Sequence, residues 1–93
     1  MTEEDIIKVY ECLTILKQLD YYLFLSVANF DSVRNFEPFN HYHINNIGCR
    51  SFNDLAEDVF EIINIAQMET VKFQSLDELY VYVNKLYKLK VML

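Results

Sequence analysis

The chain contains only one glycine, Gly48, and one proline, Pro38, among its 93 residues. Glycine and proline usually make up about 7% and 5% of a protein, and they are the residues that most often interrupt a helix or strand. A chain with so few interruptions is expected to consist mostly of regular structure, with long helices favoured. Because 53% of its residues are hydrophobic, it can form a core without disulfides or a structural metal. We therefore expect a single compact domain over residues 1–93.

Three segments have the spacing of amphipathic helices. The first begins after Thr2, a helix-capping residue that is followed by three acidic residues in the first turn. The second begins at Ser51, carries an apolar stripe and is expected to run to about Gln67. The third begins at Ser75, which forms a Ser-x-x-Glu capping box with Glu78. These segments predict about three main helices.

Two shorter segments favour strands. The run 21–27 is apolar and aromatic, and its pattern fits either a buried strand, which we favour, or a continuation of the first helix to about Asn29. Segment 68–73 is rich in β-branched residues and is the obvious strand partner of 21–27. Segment 31–50 is expected to be a long loop that either contains a short strand or helix or acts as a binding loop. The predicted fold is a helix-rich α+β domain with at most a small two-stranded sheet, and an all-α fold is the alternative.

The expected compartment is the cytoplasm. The N-terminus is acidic, whereas an export signal would be basic and then apolar. The longest apolar stretch, 21–28, is far shorter than the roughly 18 residues that span a bilayer, so no membrane association is expected. Cys12 and Cys49 are far apart in the sequence and match no paired metal spacing, so they are expected to be reduced thiols.

His41, His43 and Cys49 are the residues that could support chemistry. Two imidazoles and a nearby thiol could contribute to a zinc site, but their spacing matches no zinc signature. Cys49 could act as a nucleophile with a histidine as its base, but no third orienting group or oxyanion element accompanies it. Hydrogen-bonded or exposed histidines and a buried thiol are the expected roles, so we predict no metal, no cofactor and no enzymatic activity.

The distribution of charge is the most informative surface feature. Residues 1–69 carry a net charge of −8 and residues 70–93 carry +2, which together give the −6 of the whole chain. The predicted second helix has no lysine or arginine after Arg50 and presents an acidic face made of Asp54, Glu57, Asp58 and Glu61. Such a surface repels nucleic acid and attracts a basic protein partner. The alternative is that this face is only solvated and promotes solubility.

The chain has seven tyrosines and seven phenylalanines, which is many for one small core. Tyrosine is favoured at interfaces because it is amphipathic and loses little entropy there. Tyr22, Tyr42 and Tyr82 are the candidates for exposure, with a tyrosine-rich core as the alternative. The predicted partner-binding residues are therefore Tyr42, Asp54, Glu57, Asp58, Glu61 and Tyr82.

The leading functional hypothesis is a non-enzymatic, acidic protein-binding module that acts as an inhibitor by occupying a basic, nucleic-acid-binding surface of its partner. In size, acidity and lack of catalytic residues, the chain resembles the small inhibitors carried by phages and mobile elements, including anti-CRISPR and DNA-mimicking antirestriction proteins. This resemblance lies in composition and covers no motif. The alternative is a homo-oligomeric structural or assembly subunit, such as a homodimer that buries Tyr82 and the third helix.

Overall fold

The computed structural model describes residues 1–39, 45–51 and 60–92. Their elements in chain order are α1 (Glu3–Gln18), β1 (Tyr21–Leu25), α2 (Val27–Arg34), a short 3-10 helix (Glu37–Phe39), β2 (Ile47–Cys49), β3 (Phe60–Asn64), β4 (Thr70–Phe73) and α3 (Leu76–Met92). Within these residues, no helix combines the length and the apolar composition needed to cross a bilayer.

The four strands form one mixed sheet in the order β2-β1-β3-β4. Strands β1 and β2 are parallel, whereas β3 is antiparallel to both β1 and β4. The fold is therefore α+β, but the prediction of at most a two-stranded sheet is wrong, and so is the all-α alternative. The two extra strands come from segments that we had predicted to be a loop and a helix.

The predicted second helix is wrong over the residues that the structure describes. Ser51 is not helical, Phe60–Asn64 is the central strand β3, and residues 65–67 form a turn. Residues 52–59 lie outside the described residues. A strand with neighbours on both sides reads as a short apolar run, which periodicity alone does not distinguish from a buried helix segment. Asn64 then ends β3, because its side-chain Oδ1 accepts hydrogen bonds from the backbone N–H groups of Ala66 and Gln67.

The run after α1 is a strand, as we favoured, and the longer first helix is wrong. Asp20 has a positive φ of 61°, which ends the helical path just before β1. Ser26 then caps α2, with its hydroxyl accepting from the backbone N–H of Asn29 at 3.4 Å. Helix α2 occupies the start of the predicted loop, and β2 is the short strand that the loop could contain.

The predictions for α1, β4 and α3 are confirmed as elements. Thr2 and Asp5 form a reciprocal capping box at the start of α1. The Ser75 hydroxyl accepts from the backbone N–H of Glu78, while the Glu78 carboxylate accepts from Gln74. The predicted partner of β4 is wrong, because β4 pairs with β3 and not with β1.

The core lies between one face of the sheet and the two long helices. Alternate residues of the strands, among them Leu23, Leu25 and Ile62, are fully buried, and Leu16 of α1 and Leu79 of α3 are equally buried in the same cluster. Two helices packed on one sheet face each present one apolar stripe inward. The opposite stripe of each helix is left to meet solvent or another molecule.

Candidate functional site

Most of the predicted partner-binding residues lie outside the part of the chain that the structure describes: Tyr42, Asp54, Glu57 and Asp58. Glu61 and Tyr82 are described, but they lie on different elements, β3 and α3. The structure therefore does not bring these two residues together as one surface.

Glu61 is buried in the sheet and not exposed on a helix, so that prediction is wrong. Its side chain is 8% exposed, and its Oε1 lies 2.6 Å from Nη1 of Arg50. The Arg50 guanidinium also lies over the ring of Phe24, with its Cζ 4.1 Å from the ring centroid. Arg50 therefore forms an ion pair with Glu61 inside the fold, and the Glu61 carboxylate is not presented to a partner.

The candidate zinc and nucleophile residues are not brought together by the described part of the chain. His41 and His43 lie outside it. Cys49 is exposed at the end of β2, so the expectation of a buried thiol is wrong. No group of three or more His, Cys, Asp or Glu side chains within residues 1–39, 45–51 and 60–92 is arranged to hold a metal ion. Cys12 is buried in α1, and this burial, with a smaller effect of the Glu11 charge, raises the pKa of its thiol to about 12. Cys12 is therefore protonated at neutral pH and packs as an apolar side chain.

The helices α1 and α3 are parallel, and this arrangement determines where the charges lie. Lys8 Nζ is 3.8 Å from Asp77 near the starts of the helices, and Lys90 donates to the Gln18 carbonyl at their ends. Between these contacts, the Tyr80 hydroxyl donates to Glu11 at 2.9 Å. This hydrogen bond, together with the Glu11 charge, raises the pKa of Tyr80.

Both helix starts carry acids, so the parallel pairing gathers negative charge at one end of the molecule. This acidic end consists of Glu3, Glu4, Asp5 and Asp77. Three of these residues are exposed, and Asp5 is half-buried because it caps Thr2. The hydrogen bond from the Thr2 backbone N–H lowers the pKa of Asp5. Lys8 is the neighbouring cation of the acidic end.

The second candidate surface runs along α3, away from α1 and from the core. Residues spaced by three and four along α3 fall on one side of a helix. We call this side the α3 stripe, and it consists of Glu78, Val81, Tyr82, Lys85, Leu89 and Met92. Val81, Leu89 and Met92 are 53%, 62% and 83% exposed. Exposed apolar side chains grouped on one helix face are characteristic of interaction surfaces.

The α3 stripe borders a groove of about 500 Å³. Phe73 of β4 and Tyr82 of α3 line the groove, and their ring centroids are 5.1 Å apart. Strand β4 is the last strand on this side of the sheet. Tyr82 is half-buried by this packing, so only part of its side chain is exposed on the surface.

Sequence reasoning missed both surfaces, although each left a signal. The acids in the first turn of α1 were interpreted as favouring the positive end of that helix, and Glu78 as part of a capping box. The gathering of acids at one end of the molecule depends on the parallel pairing of α1 and α3, which no local pattern shows. Val81, Leu89 and Met92 fall outside the core stripe of α3 in the sequence itself. A second apolar stripe on one helix was therefore readable before the structure.

Comparisons with known proteins do not assign this chain to a group. No protein-family model, no curated protein and no solved structure matches it.

Proposed function

We propose that this chain is a non-enzymatic binding protein that docks its acidic end onto a basic protein surface, and that it acts as an inhibitor by occupying a surface that otherwise binds nucleic acid. The observation that carries the proposal is the parallel pairing of α1 and α3. This pairing concentrates the exposed carboxylates of Glu3, Glu4 and Asp77 at one end of the molecule. Closely spaced negative charges of this kind attract cationic surfaces and speed association with them.

The proposal differs from the sequence-based hypothesis in the residues that it uses. Glu61 no longer belongs to the binding surface, because it is buried and forms an ion pair with Arg50 within the sheet. Asp54, Glu57 and Asp58 remain proposed contributors, and they precede Phe60 closely in the sequence. Phe60 lines the same cavity as Asp5 and Asp77, so it lies at the acidic end.

We place this function in the cytoplasm. Cys12 and Cys49 are both free thiols, and a reducing compartment keeps thiols in that state. A partner that handles nucleic acid in the same compartment would present a surface of the required charge.

The test compares the wild type with a triple variant, Glu3→Gln/Glu4→Gln/Asp77→Asn, in affinity capture from the host lysate at low and high salt. The variant removes charge and keeps side-chain size. Glu4→Gln also tests whether one carboxylate alone changes capture. We expect the wild type to retain proteins with basic surfaces at low salt, and we expect high salt and the triple variant each to release them, because screening weakens exposed charge contacts.

A competition arm separates inhibition from binding in general. Adding duplex DNA to the lysate should prevent capture if the occupied surface is one that binds nucleic acid. Capture that is equal for the wild type and the triple variant, and insensitive to salt, would overturn the proposal. Thermal unfolding of both proteins serves as the control, because the acids also stabilise the first turns of their helices.

A further inference from the structure

The α3 stripe has an order of charges that determines what can bind along it. Within the stripe, the acidic residue Glu78 lies in the first turn of α3, and the basic residue Lys85 lies two turns further on. Between them is the exposed apolar side chain of Val81. Acid, apolar centre and base therefore follow one another along a single helix face.

When a second α3 runs in the opposite direction, its base lies beside the acid of the first and its acid lies beside the base. If two copies of α3 pack side by side in opposite directions, Glu78 of each copy lies against Lys85 of the other. We propose that the α3 stripe is the interface of a homodimer in which two copies of α3 pack antiparallel around a two-fold axis between Val81 and Tyr82. Because the interface is isologous, every contact in it occurs twice.

The position of the axis gives the pairs of residues in contact. With the axis between Val81 and Tyr82, Glu78 of each copy lies opposite Lys85 of the second copy. Val81 and Tyr82 form the apolar centre, and water is excluded from them on association. Leu89 of each copy lies level with Gln74 of the second copy, beside the groove that Phe73 lines. The exposed side chains of Val81 and Leu89 thereby gain a partner surface.

The charge pair also distinguishes a second copy from other occupants. Glu78 and Lys85 of one chain are two helical turns apart, roughly 10 Å along the axis, so they do not form a direct ion pair within α3. An interaction between these two positions therefore has to occur between chains. Salt is not a clear readout here, because it screens both these pairs and the repulsion between two chains that each carry a net charge of −6.

The test is a charge swap followed by sedimentation equilibrium. We expect the wild type to form a dimer of twice 11.1 kDa. Lys85→Glu and Glu78→Lys should each raise the dimer dissociation constant at least about tenfold, because each change replaces two attractive contacts by two repulsive ones. The double variant Glu78→Lys/Lys85→Glu should restore the dimer.

Two further variants keep the test independent of the cap at Ser75, because the Glu78 carboxylate also accepts a hydrogen bond from Gln74. Val81→Glu places two charges at the two-fold axis and should abolish the dimer, and its position is exposed enough to leave the fold intact. Lys17→Glu makes the same charge change as Lys85→Glu at the exposed end of α1, and it should leave the dimer unchanged.

A wild type that sediments at 11.1 kDa throughout the micromolar range would overturn the proposal and leave the stripe to another occupant. A dimer that survives Val81→Glu, or a double variant that does not recover, would also overturn it. These outcomes are separate from those for the acidic end, because the triple variant with neutral residues at positions 3, 4 and 77 leaves Glu78, Val81 and Lys85 in place.

Discussion

Helices α1 and α3 are near equivalents that differ on their outer sides. Both are long, both have capped starts, and both bury an apolar stripe against the same face of the sheet. The outer side of α1 is polar, with Ile7 as its one exposed large apolar residue. The outer side of α3 exposes Val81, Leu89 and Met92.

The packing of the fold accounts for the apolar residues of α1, but it does not account for the exposed apolar residues of α3. The sheet requires a single apolar stripe from each helix, and α1 supplies no more than that. Helix α3 has a second apolar stripe that the fold leaves exposed. Exposed apolar residues scattered singly are ordinary, but a group of them on one helix face, with ordered charges, points to a binding surface.

The largest expected effect on stability tests the buried side of each helix, where α1 and α3 are alike. Leu16→Ala in α1 and Leu79→Ala in α3 each remove a fully buried side chain from the same core. Each should lower the free energy of unfolding by about 2–5 kcal/mol, measured by urea denaturation in a Val81→Glu background so that association does not contribute. A much smaller loss for Leu79→Ala would mean that α3 is not held by the core as α1 is.

A smaller effect on stability is expected when a buried, ion-paired carboxylate is compared with an exposed one. Arg50→Met removes the 2.6 Å charge-assisted hydrogen bond of the buried Glu61 carboxylate and should cost roughly 1–3 kcal/mol. Glu3→Gln should change stability by no more than about 0.5 kcal/mol, since Glu3 is exposed. Chemical denaturation measures both, and equal effects would contradict the internal role of Glu61.

The starts of α1 and α3 should lose similar stability when their capping hydroxyls are removed. Thr2→Ala and Ser75→Ala each remove a hydroxyl that accepts a backbone N–H, from Asp5 and Glu78 respectively. Each should cost about 1 kcal/mol of stability, measured by thermal unfolding. If only one of the two variants is destabilised, the equivalence of α1 and α3 fails at their starts.

Local signals of this kind were the part of the fold that the sequence could predict. Thr2 and Ser75 mark their helices through side-chain chemistry that acts over three residues. Strand β3 could not be recognised in the same way, because its apolar run fits a helix until the neighbouring strands are known. For the same reason the sequence did not predict the strand pairing, in which β4 pairs with β3 instead of β1.

The candidate site also has features that the local sequence could predict and features that depend on how distant segments pack. Predicting that Glu61 is exposed required a helix that does not form, and the contact with Arg50 joins residues of different segments. The acidic end likewise depends on the direction in which two distant helices pack. The α3 stripe is a periodic feature of one segment, so the sequence contained it, although Tyr82 was the one residue of it that we predicted as a partner contact.

The smallest effect is a pH dependence confined to the start of α1. The hydrogen bond from the Thr2 backbone N–H holds the pKa of Asp5 below its ordinary value of 3.8. A lowered carboxyl pKa contributes stability above the unfolded-state pKa, and that contribution is lost as the pH falls through the folded-state value. The stability advantage of the wild type over Asp5→Asn should therefore be constant near neutral pH and shrink below about pH 4. An advantage that does not change on acidification would contradict this role.

The most direct test of the difference between the helices is disulfide cross-linking under mild oxidation. In a Cys49→Ser background, which removes the exposed native thiol, Val81→Cys places a thiol at the proposed two-fold axis and Ile7→Cys places one on α1. We predict a covalent dimer for Val81→Cys and a monomer for Ile7→Cys on a non-reducing gel. Equal cross-linking of both variants, or none for Val81→Cys, would contradict the claim that α3 carries a second, partner-facing stripe.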